Sequence, residues 1–288
     1  MRARGYRLML LPFVAGSIIL LIGPALLALG LAFTDFDGLS TPHWVGVDNF
    51  AHLLQEPVFQ TVLRNSVEFL LLSLPIRLLG AYLPALWLSH PRRGAGLYRA
   101  LVYLPSVLPD VAYALTWVWI VNPMYGPLNL ALKAMGLAQP GWLADPNAAR
   151  LVFVMMAALQ IGEGFVIALS GLRGIPAERI QAAMVDGAGR WALFRHITLP
   201  LSLPWLALIV VRDAIFLLPW TFPMTAIMTG GDPYYNTLFI PLYARITSID
   251  YLRFGQGSAA IVFMIVLAAL VLFAFWRFAR RGWYADEA

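Results

Sequence analysis

Six runs in this chain are long and apolar enough to cross a lipid bilayer. A spanning helix needs about 20 mostly apolar residues, because the hydrocarbon core is about 30 Å thick. The runs cover residues 8–33, 66–90, 101–121, 151–172, 201–228 and 258–278. Composition agrees, with 60% of residues hydrophobic and 12% charged. A soluble domain carries about 45–50% and about 25%. So few charges cannot cover a water-exposed surface, which excludes a disordered chain, a coiled coil and an ordinary cytosolic enzyme. The expected fold class is an all-α polytopic membrane protein with six transmembrane helices. The first run starts basic, like a secretory leader (Arg2, Arg4, Arg7). It outlasts the apolar stretch of such a leader, about 7–15 residues, and ends in Phe33-Thr34-Asp35-Phe36 rather than in small residues. It is expected to be a retained helix.

Cations set the expected direction of threading. Nineteen of the 20 are arginine, and Lys133 is the only lysine. Thirteen fall on the face shared by the two termini and the loops at 91–100 and 173–200, and five on the face formed by the loops at 34–65, 122–150 and 229–257. Cytoplasmic loops carry the excess of Lys and Arg, so both termini are expected in the cytoplasm. The net charge of +5 then reflects membrane sidedness, and no nucleic-acid partner is expected. The absence of cysteine excludes disulfides and thiolate chemistry.

Prolines stand inside the runs at 75, 84, 105, 109, 204, 219 and 223. Each removes a backbone donor and is expected to kink or break its helix. Lipid cannot satisfy the freed carbonyls, so neighbouring helices or a wet cavity must. Such a pattern favours a packed, moving bundle around a pathway over a simple anchor.

The loop at 175–200 reads as a surface helix–turn–helix. Pro176 suits a first helical turn. Ala177–Val185 contains good helix formers, and Asp186-Gly187 ends the helix with a left-handed glycine. A second amphipathic piece at 191–197 leads through Pro200 back into the membrane. Ala182 and Ala183 leave room for another protein to approach closely. The spacing is Gln181-Ala182-Ala183, three residues, Gly187, nine residues, then Ile197-Thr198-Leu199-Pro200. It resembles the EAA loop of binding-protein-dependent ABC importer permeases. One residue departs: Gln181 stands where that family usually has Glu, which affects any ion pair to the ATPase from that side chain, although an amide still forms hydrogen bonds.

The likeness extends over roughly residues 8–280. Phe33-Thr34-Asp35-Phe36 and Val45-Gly46-Val47-Asp48-Asn49-Phe50 are similar to the first outer loop of sugar-type permeases of the maltose/glycerol-phosphate class. They match the member that has the extra first helix. Thr229-Gly230-Gly231-Asp232-Pro233 and Phe254-Gly255-Gln256-Gly257-Ser258-Ala259 resemble that class's segments after the fifth span and before the last.

The resemblance implies a type I ABC importer permease fold in a bacterial or archaeal cytoplasmic (inner) membrane. It implies an N-terminal helix and outer loop at 1–65, a permease core at 66–278, and a cytoplasmic tail at 279–288. It implies a second homologous permease subunit in a heterodimer, a dimer of ABC ATPase subunits at the cytoplasmic face, and an extracytoplasmic solute-binding protein. The coupling residues it implies are Gln181, Ala182, Ala183, Asp186, Gly187, Ile197, Leu199 and Pro200. The solute implied is a carbohydrate or a related molecule. The sequence is consistent with ATP on a partner, because a phosphate-binding Gly-x-x-x-x-Gly-Lys loop needs a lysine and Lys133 sits in Asn129-Leu130-Ala131-Leu132-Lys133-Ala134. No cofactor is expected on this chain, and no catalytic residues.

Ionisable residues inside spans are expensive and tend to face cavities or one another. Gln160 and Glu163 are three apart and expected on one helix face, with Gly162 and Gly164 beside them. The resemblance puts that helix on the substrate cavity; an ion pair of Glu163 with Arg77 or Arg212 is the alternative. Trp220 and Thr221 fall where related permeases place cavity residues, and an indole can stack on a sugar, although packing or an interfacial belt also explains Trp220. Trp117 and Trp119 read as belt. Asp110 ranks below Glu163. Arg212 and Asp213 are adjacent and expected to point apart. His43, His52, His90 and His196 lack ligand spacing, so no metal site is expected. The competing classes are an ion-coupled carrier or channel and an intramembrane enzyme. The first needs no docking loop and often shows an internal repeat, absent here. For the second, Ser170-Gly171 lacks the glycine of a nucleophile motif at Ala168.

Overall fold

The computed structural model describes the backbone of residues 2–283 and the side chains of residues 9–277. Residues 284–288 of the tail expected at 279–288, and the side chains of Arg2, Arg4, Arg7, Arg280 and Arg281, lie outside the described residues; the backbone at 279–283 continues the last helix.

The regular structure of the described residues is helical, apart from one isolated bridge between Thr34 and Trp44. In order, the helices are α1 (Arg2–Ser17), α2 (Gly23–Leu31), α3 (Asp48–Gln55), α4 (Pro57–Leu88), α5 (Ala95–Tyr103), α6 (Asp110–Ile120), α7 (Pro127–Ala134), α8 (Pro146–Leu159), α9 (Gly162–Arg173), α10 (Ala177–Val185), α11 (Arg190–Leu193), α12 (Leu199–Met228), α13 (Ile240–Arg245) and α14 (Phe254–Trp283). A π-type turn joins α1 to α2, so Met9–Leu31 runs as one apolar helix. Among the described residues five helices are long and apolar enough to span a membrane, and a bent pair makes a sixth.

The bent pair is the third span, which breaks where Pro105 and Pro109 are expected to kink or break it. Ala95–Val107 and Asp110–Ile120 meet at 100°. Pro105 and Pro109 explain it, since each lacks an amide donor and disfavours helix in the residue before it. The fourth span is also broken, at Gln160–Ile161 between α8 and α9, without a proline. Conversely, Pro75 and Pro84 lie inside an unbroken α4, and Pro204, Pro219 and Pro223 inside an unbroken α12. Hydroxyls bond back within α12, Ser202 to the Leu199 carbonyl (2.9 Å) and Thr221 to that of Leu218 (2.7 Å). Pro200 starts no new element either, because α11 passes through a π-type turn directly into α12.

The chain forms two compact units. One comprises Met1–Gln60 and Ile240–Met264. In it, the Asn49 side chain donates to the carbonyls of Ala32 (2.9 Å) and Thr34 (2.8 Å), where α2 has run out of its own donors. The Gly255 amide donates to the Phe36 carbonyl (3.1 Å). A Cβ on Gly255 would overlap the Thr34 carbonyl, and one on Gly257 the Ser248 hydroxyl. The two sequence motifs Val-Asp-Asn-Phe and Phe-Gly-Gln-Gly-Ser therefore meet at one backbone turn. Phe59 stacks near Tyr243 and Phe263, with ring centroids 5.2 and 5.1 Å away.

The other unit comprises Thr61–Phe239 and Ile265–Ala288. Its core joins Ala81, Tyr82, Ala85 and Leu88 of α4, Phe165, Ala168, Leu169 and Leu172 of α9, and Leu206 and Ile209 of α12. Small residues let these helices approach, as lipid-embedded helices require. A Cβ on Gly164 would lie 3.2 Å from that of Ala81, and one on Gly171 would overlap the Trp205 ring. Tyr82 donates to the Ser202 hydroxyl (2.9 Å). Glu68 is not a free charge in its span: Arg64 and Arg150 each bond it at 2.7 Å. The Thr-Gly-Gly-Asp-Pro segment turns the chain after α12 through Gly230 (φ +64°) and Gly231 (φ +104°), and Thr237 ties it by donating to the Asp232 carbonyl at 2.7 Å.

Candidate functional site

Both helix breaks open onto one cavity of about 500 Å³ within the second unit. Its wall includes Ser106, Leu108 and Asp110 from the first break, and Gln160 and Glu163 from the second. Arg77 of α4 and Arg212, Asp213, Phe216, Leu217, Pro219 and Trp220 of α12 complete it. The first break caps the second: the Gly162 amide, at the start of α9, donates to the Ser106 hydroxyl (2.8 Å). A Cβ on Gly162 would come within 2.7 Å of that oxygen, so only glycine fits.

A charge network holds the second break. The Arg77 guanidinium donates to both carboxylate oxygens of Asp213, at 2.8 and 3.2 Å. It also donates to the carbonyls of Ala157 (2.9 Å) and Gln160 (2.8 Å) at the end of α8. A cation at a helix C-terminus satisfies carbonyls that the broken helix leaves without donors. Arg77 and Asp213 are both buried. Arg212 pairs with Glu163 and also with its neighbour Asp213 (2.6 Å). The expectation that Arg212 and Asp213 point apart is thus corrected: the long arginine side chain curls back to the adjacent carboxylate.

Of the four expected pathway residues, Gln160, Glu163 and Trp220 line the cavity, and Thr221 does not. Thr221 is fully buried and spends its hydroxyl on the Leu218 carbonyl. Gln160 and Glu163 do not share a helix face, because the chain breaks between them; they line one cavity from either side of the junction instead. Glu163 occupies the first turn of α9 and Asp110 that of α6, where the helix dipole favours a carboxylate. Trp220 lies nearly parallel to Phe69 (centroids 6.4 Å apart), and its buried indole N–H has no acceptor among the described residues. Trp117, expected in an interfacial belt, is instead buried against Tyr113, while Trp119 is exposed. Sequence reasoning passed over Ser106, Leu108 and Phe216; the Pro105 and Pro109 pair was the signal that a wall lay there.

The loop at 175–200 carries the second candidate region. Helix α10 presents Gln181 and Ala182 to the surface, with Ala183 half-buried and Asp186 at its C-terminal end. Gly187 has φ +83°, a conformation that costs other residues about 1–2 kcal/mol. Met184, Val185 and Trp191 are exposed apolar residues on the same segment. Ile197, Leu199 and Pro200 lie half-buried where it enters α12.

Residues 77–282 match the family described as binding-protein-dependent transport system inner membrane component. The chain belongs to that family. Relatives agree along nearly the whole permease. A probable ABC transporter permease protein of Pyrococcus horikoshii is 31% identical, covering 91% of this chain and 95% of its own. The trehalose/maltose transport system permease protein MalF of Thermococcus litoralis is 28% identical, covering 93% and 92%. Among solved structures, a bacterial alginate ABC transporter, in complex with its alginate pentasaccharide-bound periplasmic protein, superposes with a TM-score of 0.83. It is 25% identical, covering 98% of this chain and 96% of its own. The permease is therefore an inner membrane component of an ABC importer. A solute-binding protein and ATP-hydrolysing subunits work with it, and ATP is hydrolysed on those subunits.

Proposed function

We propose that this permease carries a carbohydrate or a related hydroxyl-rich solute, and that the cavity between the two broken spans is its half of the pathway. The observation that carries the reading is the composition of the wall: an aromatic face at Trp220 beside Gln160, Ser106 and carboxylates. Amide, hydroxyl and carboxylate bond sugar hydroxyls, and an indole covers a pyranose face. Each such contact contributes about 1 kcal/mol, which suits a site that must release what it binds. The trehalose/maltose system of one relative supports the same solute class.

In this reading the permease core at 66–278 pairs with a second homologous subunit as a heterodimer, and the helix and outer loop at 1–65 precede it. Both termini and the 175–200 loop face the cytoplasm. There Gln181, Ala182, Ala183, Asp186 and Gly187 seat a dimer of ATPases, and Ile197, Leu199 and Pro200 pass the movement to α12. Exposure of Met184 and Val185 supports a docking role, since apolar side chains at a wet surface gain from being covered. The test is solute-stimulated ATP hydrolysis and uptake in the reconstituted complex, with binding protein saturating. Trp220→Ala and Glu163→Gln should weaken both without preventing assembly. Wild-type stimulation and uptake in both variants would make these packing residues and sink the pathway reading.

A further inference from the structure

We infer that the solute offers hydrogen-bond donors, and no anionic group, to Asp110, so that the cavity takes uncharged or amino sugars and rejects acidic ones. This inference rests on the reading of the cavity as solute pathway.

Five charged side chains line the wall, and four of them cancel. Arg77 has its donors on Asp213 and on the Ala157 and Gln160 carbonyls. Arg212 is held between Asp213 and Glu163. The two cations are thus neutralised by two carboxylates, and a solute anion reaching either arginine would have to displace a carboxylate already paired there. Asp110 is the remaining charge. It is exposed, lines the cavity, and forms no ion pair among the described residues. The N-terminus of α6, worth about half an elementary charge, offsets it only in part.

An ionised carboxylate has acceptors and no donor, so any group docking on Asp110 must bring a proton. Nearby wall groups have the opposite spare capacity. Ser106 accepts from the Gly162 amide, which leaves its own hydroxyl proton available. The Gln160 carbonyl is committed to Arg77, while its side-chain amide has no partner among the described residues. A hydroxyl both donates and accepts, so a polyol fits all three. An ammonium fits Asp110 better still, because the bond is charge-assisted. A carboxylate, sulfonate or phosphate brings a like charge and no donor.

The test uses the assembled transporter in nanodiscs without binding protein, whose own selectivity would mask the cavity. The probes are methyl glucoside, glucosamine and glucuronate, with hydroxyl patterns nearly alike and charges that differ. Equilibrium binding is followed by ligand-observed magnetic resonance. The expected result is glucuronate at least about tenfold weaker than methyl glucoside, the scale of one charged hydrogen bond gained or lost, and glucosamine at least as tight. Asp110→Asn should erase the difference between glucosamine and glucuronate, and Asp110→Glu should keep it. Equal binding of glucuronate and methyl glucoside to the wild type overturns the inference. So does an unchanged ratio in Asp110→Asn. Loss of assembly in Asp110→Asn also overturns it, by assigning the carboxylate to an intersubunit ion pair. If none of the three binds the wild type, the pathway reading falls and this inference with it; binding that ignores charge overturns the inference alone.

Discussion

Replacing Arg77 with methionine should be among the most damaging single changes in this permease. Arg77 and Asp213 are 6% and 3% exposed, and they share a two-pronged ion pair. Removing one partner of a buried pair costs about 3–5 kcal/mol when the other charge is left uncompensated; Asp213 keeps its bond to Arg212, so the cost here falls at the lower end, about 3 kcal/mol. The Ala157 carbonyl would also lose its Arg77 donor, at about 1–3 kcal/mol for a buried group. The bond to the Gln160 carbonyl is only part-buried, at a residue that lines the cavity, so water can replace the donor and it adds little. The total, about 4–6 kcal/mol, is close to the whole stability of the less stable domains. The double variant Arg77→Met/Asp213→Leu removes both charges and leaves Arg212 with Glu163. Only the Ala157 carbonyl then lacks a partner, so the double variant should be more stable than Arg77→Met alone. The assay is a double-mutant cycle on reversible unfolding in bicelles. A coupling energy above about 2 kcal/mol is expected, against about 0.6 kcal/mol for an ordinary interhelical hydrogen bond. A coupling near that lower value, or a double variant less stable than either single one, would refute the clamp at the α8–α9 break.

Gly187→Val should abolish ATPase docking and uptake while membrane insertion stays normal, and Gly187→Asn should retain most activity. Nothing lies within 4 Å of a Cβ there, so the effect comes from the left-handed backbone alone, which asparagine tolerates. Co-purification of the ATPase reads it, and equal loss in both variants would point to a different cause. Gly171→Ala should destabilise the core by about 1–3 kcal/mol through overlap with the Trp205 ring. Thermal unfolding should show recovery when Trp205→Leu is added, and no recovery would remove the steric explanation. A single cysteine at position 179 in this cysteine-free chain should resist impermeant thiol reagents applied outside intact cells; labelling there would overturn the topology.

The spans were legible because run length and hydropathy are one-dimensional properties. Helix α10, its boundary and the positive φ of Gly187 were legible too, since Asp-Gly is a strong local stop signal. The break between α8 and α9 was not. Gln160–Ile161 carries no proline, and the break persists because Arg77, 83 positions earlier, bonds the Gln160 carbonyl. A contact so distant in sequence leaves no local trace. The same limit applies to Arg212 and Asp213: adjacency in a helix was read as separation, and the reach of the guanidinium was not considered. Proline misled in the other direction, since α4 and α12 absorb five of them without breaking. Asp110 was undervalued because it was read as mid-span, whereas the bend at Pro109 makes it the first residue of a helix facing the cavity.

The central claim is that solute passes through the cavity between the two breaks. A cysteine at position 108, on the cavity wall, tests it most directly, with a cysteine at position 208, outside that wall and exposed, as control. Each is reacted with N-ethylmaleimide in the reconstituted transporter, and the uptake of the carbohydrate delivered by the binding protein is then measured. Modification at 108 should block uptake, and saturating solute should slow that modification; modification at 208 should do neither. Full labelling at 108 with wild-type uptake would contradict the account.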